Sequence, residues 1–161
     1  ILAVEFRLHR TPSPNLGYGD VIKEVEARGG ATLKNIREAI CAIRASKLPD
    51  PKELGNAGSF FKNPIVAKIV AERLLNEYPS MPCYAVPNND EVMKLAAGWL
   101  IDQSGLKGYR EGHVGVHDRQ ALVLVNHGGA TGGEVLHFAE FVCSVVYGKF
   151  GVEISPEVNI L

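Results

Sequence analysis

The segment from Gly55 to Pro64 carries the residue types with the clearest potential for chemistry. It reads Gly-Asn-Ala-Gly-Ser-Phe-Phe-Lys-Asn-Pro, and the small residues at its start let the backbone approach a ligand closely. Ser59 follows those small residues directly, and Lys62 stands three positions later. One interpretation is therefore a loop that binds a ligand. The alternative is a tight turn whose serine bonds to the backbone and whose phenylalanines lie in the core. Spacing alone does not separate these two interpretations.

Ser59 and Lys62 also match the Ser-x-x-Lys pattern of acyl-serine hydrolases. In those enzymes the two residues lie one helical turn apart. Here Asn63-Pro64 predicts a helix that begins only after the lysine, with asparagine as its cap and proline in its first turn. The residues from Ser59 to Lys62 are therefore predicted to be extended, with the serine and lysine on opposite faces. This disfavours a hydrolase.

A local excess of positive charge surrounds the same region. Between Arg37 and Lys62 there are five basic and three acidic residues, whereas the whole chain has a net charge of -1. Cationic side chains beside exposed backbone amides suit an anionic ligand such as a phosphate or carboxylate. The alternative to an anion-binding site is a solvent-exposed helix end whose lysines bind no ligand.

The composition excludes several classes of protein. The chain has 161 residues, 46% hydrophobic and 22% charged, which predicts a folded globular protein and not a disordered one. Its near-zero net charge argues against a general nucleic-acid binder. The three cysteines form no Cys-x-x-Cys pair, which fits a reducing cytosol. There is no nucleotide-binding glycine fingerprint, and His113 and His117 lie among glycines that disfavour a metal-binding helix.

Hydrophobic periodicity predicts an α+β fold, with a mixed or antiparallel sheet and flanking helices. Strands are expected where apolar residues alternate or run together, and helices where they recur every three or four positions. The predicted elements are a strand over Ile1–Leu8, a helix capped by Thr32, a helix from Asn63-Pro64 to Tyr78, a loop over Ser80–Asp90, a helix over Lys94–Ser104, a strand over Ala121–Val125, and a long helix after the glycine loop His127–Gly133.

Several segments resemble the bacterial UDP-N-acetylenolpyruvoylglucosamine reductases (the MurB family), and they follow one another along the chain in the same order as in that family. The Gly55–Pro64 segment is the most specific of them. The others are Tyr18-Gly19-Asp20, Lys47-Leu48-Pro49-Asp50-Pro51-Lys52, Lys94-Leu95-Ala96-Ala97-Gly98-Trp99-Leu100-Ile101-Asp102-Gln103, Val116-His117, Gln120-Ala121-Leu122-Val123-Leu124 and Pro156-Glu157-Val158.

The resemblance implies a cytoplasmic flavoenzyme of peptidoglycan precursor synthesis. Such an enzyme passes a hydride from NADPH to FAD and then to the enolpyruvyl group of UDP-N-acetylglucosamine-enolpyruvate, giving UDP-N-acetylmuramate. Residues 1–47 would be the last strand and helix of the FAD-binding domain, and residues 48–161 the substrate-binding domain. The first residue, Ile1, fits a chain cut from a longer protein. Without the N-terminal FAD-binding domain, the chain alone is expected to bind neither FAD nor NADPH and to be inactive.

The resemblance also assigns residue roles. Ser59 is similar to the family's proton donor, and Glu157 to its catalytic glutamate, which polarises the substrate carboxylate or relays a proton; acting as an acid would need a pKa raised by burial. Asn159 stands where the family has an arginine, so one cation is missing there. No metal site is expected. The residues that resemble substrate contacts are Tyr18, Lys47, Asn63, Tyr84 and Gln120.

Two other functions stay open from the residues themselves. One is a non-catalytic module that binds a nucleotide sugar or another anion. The other is the serine hydrolase, which requires Ser59 to react with an acylating reagent.

Overall fold

The computed structural model describes residues 2–17 and 19–160, and the chain divides into two compact units at the Lys47–Leu48 bond. The first unit contains the helices α1 (Val21–Glu26) and α2 (Leu33–Lys47). Thr32 Oγ1 accepts a hydrogen bond from the N–H of Asn35 at 3.1 Å, so Thr32 caps α2 as its sequence predicts.

The core of the first unit is small. Val21, Val25 and Ala39 are buried, and Ile36 and Ile43 of α2 pack against them half-buried. Two other apolar residues of the predicted α2 stripe, Leu33 and Ile40, are exposed. One side of this helix pair therefore stays apolar and uncovered by the unit's own residues.

The strand predicted over Ile1–Leu8 is not observed. Ile1 lies outside the described residues, and residues 2–8 form no regular element. The apolar side chains of the alternating pattern, Leu2, Val4, Phe6 and Leu8, are at least 63% exposed. A strand is stabilised by hydrogen bonds to a neighbouring strand, and no described strand pairs with these residues.

The second unit confirms the predicted α+β fold, with two antiparallel sheets and helices packed on them. The strand orders are β1-β7-β6-β5 and β2-β4-β3. Its elements in chain order are β1 (Gly55–Ser59), β2 (Ile65–Ala67), α3 (Lys68–Glu77), β3 (Cys83–Val86), β4 (Asn89–Leu95), α4 (Ala97–Gln103), β5 (Arg110–Glu111), β6 (Val114–Val116), β7 (Val123–Asn126) and α5 (Gly132–Phe150).

The long helix α5 covers the core of this unit, and its ends follow local rules. The Oγ1 of Thr131 accepts from the N–H of Glu134, whose carboxylate accepts from the N–H of Thr131, so the two form a capping box. Gly151, with φ of 66°, ends the helix in the left-handed conformation. The helix buries Phe138, Ala139, Val142, Val146 and Phe150. None of the described helices is both long and apolar enough to cross a membrane.

Three predicted element boundaries are wrong because strand pairing overrides the local pattern. Asn63-Pro64 precedes the strand β2, which pairs with β4, and the helix begins only at Lys68. The helix predicted from Lys94 begins at Ala97, because Lys94 belongs to β4. The loop predicted over Ser80–Asp90 contains the hairpin of β3 and β4, whose turn places Asn88 at φ of 61° after Pro87, as a type II turn requires.

Candidate functional site

Ser59 lies at the end of a strand that contains a bulge. In β1, Asn56 pairs with Val125 and Ser59 with Val123, so two residues, Ala57 and Gly58, face one residue of β7. Gly58 has φ of 74°, and its N–H donates to Asn56 Oδ1 at 3.0 Å, which stabilises the bulge. A bulge changes the direction in which the next side chain points. Ser59 is exposed at this bend, whereas the two phenylalanines after it are buried.

A short antiparallel contact brings Glu157 beside the same strand. The N–H of Glu157 donates to the carbonyl of Phe60 at 2.7 Å, and the N–H of Lys62 donates to the carbonyl of Ser155 at 2.9 Å. Pro156 therefore faces Phe61 at a position of the ladder where no N–H is needed. Backbone pairing thus fixes Glu157 opposite the residue that follows Ser59. The Glu157 side chain is exposed.

The hydrolase alternative is not supported by this geometry. Ser59 is the last residue of β1, and Lys62 is part of the extended contact with residue 155. The two side chains consequently do not lie one helical turn apart, as the Ser-x-x-Lys mechanism needs.

A surface pocket of about 310 Å³ brings together three of the predicted substrate contacts: Asn63, Tyr84 and Gln120. The pocket lies next to Phe60, the residue after Ser59. The carbonyl of Leu122, which lines the pocket, accepts the N–H of Phe60 at 2.7 Å. The other side chains and backbone that line it come from Pro82, Ala96, Gly98, Trp99, Asp102, Lys107, Arg119 and Ala121.

Two cationic residues of this pocket were missed by the sequence analysis. Lys107 Nζ lies 2.9 Å from Asp102 Oδ2, and Arg119 Nε lies 3.8 Å from Asp118 Oδ1. Lys107 is separated from Tyr84 by 23 positions of sequence, and only the fold places both at one pocket. Asp102 lines the pocket as well, so the charged lining residues are two cations and one carboxylate, and the excess of one positive charge suits a ligand with negatively charged oxygens.

The carboxamides of Asn63 and Gln120 both have their oxygens bound to backbone. Asn63 Oδ1 accepts from the N–H of Ala97 at 2.9 Å, and Gln120 Oε1 accepts from the N–H of Leu122 at 3.5 Å. Asn63 therefore contributes to the start of α4 and does not cap a helix that follows it. The NH2 groups remain as hydrogen-bond donors.

Tyr84 lies on β3, opposite Lys94 of β4, and its side chain is 53% exposed. It was expected in the loop predicted over Ser80–Asp90, and the structure corrects this by placing it in a strand. A tyrosine on a strand that forms one wall of the pocket can donate its hydroxyl hydrogen to a ligand.

Buried His117 supports the loop that carries Arg119 and Gln120. Only 5% of His117 is exposed. Its Nδ1 accepts the N–H of Arg119 at 3.3 Å, which places the ring proton on Nε2, 3.4 Å from Asp118 Oδ1. Burial lowers the pKa of His117, so the ring is neutral at pH 7. Within the described part of the chain, no group of three or more His, Cys, Asp or Glu side chains could hold a metal ion.

The two remaining predicted contacts belong to the first unit. Lys47 is the last residue of α2, and its Nζ lies 3.5 Å from Asp20 Oδ2. Tyr18 lies outside the described residues.

Comparison with known proteins gives one consistent result. The family model described as "UDP-N-acetylenolpyruvoylglucosamine reductase, C-terminal domain" matches residues 50–161. Proteins named UDP-N-acetylenolpyruvoylglucosamine reductase are similar to the whole chain: that of Chromobacterium violaceum is 55% identical over 163 residues, and that of Pseudomonas aeruginosa 53% over 162 residues.

This chain covers only part of those proteins. The matches include 100% and 99% of the chain but 47% of each relative, so the chain spans about half the length of the curated relatives it matches. A crystal structure of UDP-N-acetylenolpyruvylglucosamine reductase from Thermus caldophilus is 27% identical, with a TM-score of 0.45 over 78% of this chain and 34% of that one.

Proposed function

Because this chain belongs to the UDP-N-acetylenolpyruvoylglucosamine reductase family, we propose that it supplies substrate binding and the proton donor to that reaction. The complete protein would reduce the enolpyruvyl group of UDP-N-acetylglucosamine-enolpyruvate to UDP-N-acetylmuramate in peptidoglycan precursor synthesis in the cytoplasm. Residues 48–161 would form the substrate-binding domain, and residues 1–47 would complete an N-terminal FAD-binding domain. FAD and NADPH are the proposed cofactors.

The observation that carries this proposal is the pocket beside α4, whose lining residue Leu122 is hydrogen-bonded to Phe60, the residue after Ser59. Donor groups of Asn63, Tyr84 and Gln120 meet there. Lys107, paired with Asp102, and Arg119 also line the pocket. Hydrogen-bond donors and positive charge suit the diphosphate and carboxylate oxygens of a UDP-sugar ester. Lys47 and Tyr18 are proposed as further substrate contacts from the first unit.

The exposed surface around Ser59 on β1 is uncrowded. Ala57 carries only a methyl group, and a Cβ added at Gly58 would meet nothing within 4 Å. This part of the chain would face the flavin. When bound, FAD supplies the hydride that it has received from NADPH.

Ser59 is proposed to complete the reduction by donating its hydroxyl proton. Hydride addition at one carbon of the substrate double bond leaves negative charge on the carbon next to the carboxylate. That enolate-like carbon is basic enough to take the hydroxyl proton, and solvent returns a proton to the serine oxygen. Glu157, held opposite Phe60, is proposed to polarise the carboxylate or relay that proton; acting as an acid requires that the complete protein bury its side chain, which is exposed in this chain.

Changing Ser59 to alanine in the full-length protein tests this role. General-acid catalysis contributes about 10²–10⁴-fold, so reoxidation of the reduced flavin by substrate is expected to slow by that factor. Reduction of the flavin by NADPH should keep its rate, and both steps are followed by stopped-flow absorbance. Ser155→Ala, an exposed serine on the adjoining segment, is the matched control and should leave both rates unchanged. Equal losses in both half-reactions for Ser59→Ala would show that the serine is structural.

The same experiment separates the binding-module alternative. A module that only binds the UDP-sugar predicts that the wild-type protein binds it but does not reoxidise reduced flavin.

A further inference from the structure

The backbone that follows Ser59 is fixed on both sides by hydrogen bonds. The N–H of Phe60 donates to the carbonyl of Leu122 at 2.7 Å, and the carbonyl of Phe60 accepts the N–H of Glu157 at 2.7 Å. The side chain of Phe60 is buried, with 7% exposed. Any freedom in the direction of the Ser59 hydroxyl therefore comes from the chain that precedes it.

The bulge of β1 is the part of that chain with the least support from its neighbours. Pairing with β7 is interrupted between Asn56 and Ser59, at Ala57 and Gly58, and both of these residues are exposed. Gly58 is in the left-handed region, with φ of 74°, and has no side chain that could pack. Glycine has more conformational freedom than any other residue. Packing alone therefore does not hold the bulge in one conformation.

The side chain of Asn56 spans the bulge and binds the backbone at both ends. Its Nδ2 donates to the carbonyl of Leu54 at 2.9 Å, just before β1, and its Oδ1 accepts the N–H of Gly58 at 3.0 Å. Asn56 is half-buried and lines a mostly apolar pocket of about 280 Å³ together with Phe60 and Val125. Apolar neighbours exclude water in part, which strengthens both hydrogen bonds.

We propose that Asn56 is a positioning residue for proton transfer, acting through Ser59; this inference rests on the proposed function of Ser59 as proton donor. Phe60 fixes the chain after the serine, and the Asn56 carboxamide fixes the bulge before it. Loss of the carboxamide lets the bulge adopt other conformations, so the hydroxyl spends less time in reach of the reacting carbon. A displacement of about 1 Å from the reactive geometry can slow a reaction about 10²-fold.

Substitutions of Asn56 in the full-length protein test this role by stopped-flow absorbance. In Asn56→Ala, reoxidation of reduced flavin by saturating substrate should slow about 10–100-fold. Reduction of the flavin by NADPH should keep its rate, because it does not use the serine, and this also shows that the holoenzyme is folded. Asn56→Ser should recover most of the lost rate, because a hydroxyl can accept the Gly58 N–H, although more weakly than a carboxamide.

Asn89→Ala is the matched control. Asn89 Oδ1 accepts the N–H of Glu91 at 3.1 Å, the same bond to the residue two positions later, but in the other sheet. This variant should keep both rates.

A double substitution shows whether Asn56 acts through Ser59. Asn56→Ala should cause no further slowing in a Ser59→Ala background, because no hydroxyl is left to position. The inference alone is overturned if Asn56→Ala reoxidises at the wild-type rate, slows both half-reactions equally, or slows reoxidation by the same factor in the Ser59→Ala background. A wild-type rate in Ser59→Ala, or a wild-type protein whose flavin the substrate does not reoxidise, would overturn the proposed function and this inference together.

Discussion

Changing Gly98 to alanine tests how closely α4 must approach the pocket. Gly98 lies inside α4, and a Cβ built there would lie 3.2 Å from Leu122 Cγ and 3.6 Å from Gln120 Oε1. The first distance is shorter than an ordinary carbon–carbon contact, which is about 3.5–4.0 Å. The neighbouring turn therefore has to move to accept a methyl group.

Two opposing effects determine the result. Alanine favours a helix over glycine by about 1 kcal/mol, whereas overpacking a well-packed site costs roughly 1–3 kcal/mol. Leu122 is half-buried and can move in part, so we expect Gly98→Ala to lower the free energy of unfolding by about 1 kcal/mol. Because Gln120 moves with Leu122, affinity for UDP-N-acetylglucosamine should also fall.

Gly148 provides the matched control. It also lies inside a helix, α5, but a Cβ added there would meet nothing within 4 Å. Gly148→Ala should therefore raise the free energy of unfolding by about 0.5–1 kcal/mol through helix propensity alone.

Urea unfolding followed by tryptophan fluorescence measures the free energy of unfolding of the second unit in both variants, since the chain has one tryptophan, Trp99. It lies next to Gly98 and reports on the helix that carries the substitution. The reasoning is refuted if Gly98→Ala stabilises the protein as much as Gly148→Ala and leaves UDP-sugar affinity unchanged.

Two further predictions concern the start of α5. Thr131→Ala removes the oxygen that accepts the Glu134 N–H, and should cost about 1 kcal/mol of unfolding free energy in urea titration; no change would show that the capping box is not needed. Hydrogen bonds from the Thr131 backbone N–H and hydroxyl lower the pKa of Glu134 in the folded protein. Its carboxylate therefore stabilises the folded state at pH values above the pKa that Glu134 has in the unfolded chain. This stabilisation is lost as the pH falls through the pKa of Glu134 in the folded protein. The stability advantage of wild type over Glu134→Gln should therefore shrink between pH 6 and pH 3, and a constant difference would contradict this linkage.

The helices that begin with a local cap were the most predictable part of the fold. Thr32 precedes the periodic residues of α2 and caps that helix, as the sequence predicts. By contrast, β2 is only three residues long, from Ile65 to Ala67, and exists because it pairs with β4. Its sequence gives no strand signal strong enough to outweigh Asn63-Pro64, which is also a good helix start. Long-range pairing is therefore the information that local patterns lacked.

Residues of the candidate pocket could be named from the resemblance, but their arrangement could not. Resemblance pointed to Asn63, Tyr84 and Gln120, and the fold places all three at one pocket. It could not show that Asn63 binds α4, because this bond joins residues 34 positions apart. Lys107 was missed for the same reason, since its charge has meaning only beside the side chains that the fold brings to it.

The positions of these groups depend on backbone hydrogen bonds more than on bonds between side chains. Ser59 and Glu157 are positioned by strand pairing, through the bulge of β1 and the contact between Glu157 and Phe60. Asn63 and Gln120 are oriented by backbone N–H groups that bind their oxygens. Backbone partners persist when a neighbouring side chain changes, so the direction of each donor is set by the fold of the second unit itself. The proposed donor roles of Asn63 and Gln120 would therefore follow from topology: both carboxamide oxygens bind backbone N–H groups, and the NH2 groups remain for a ligand.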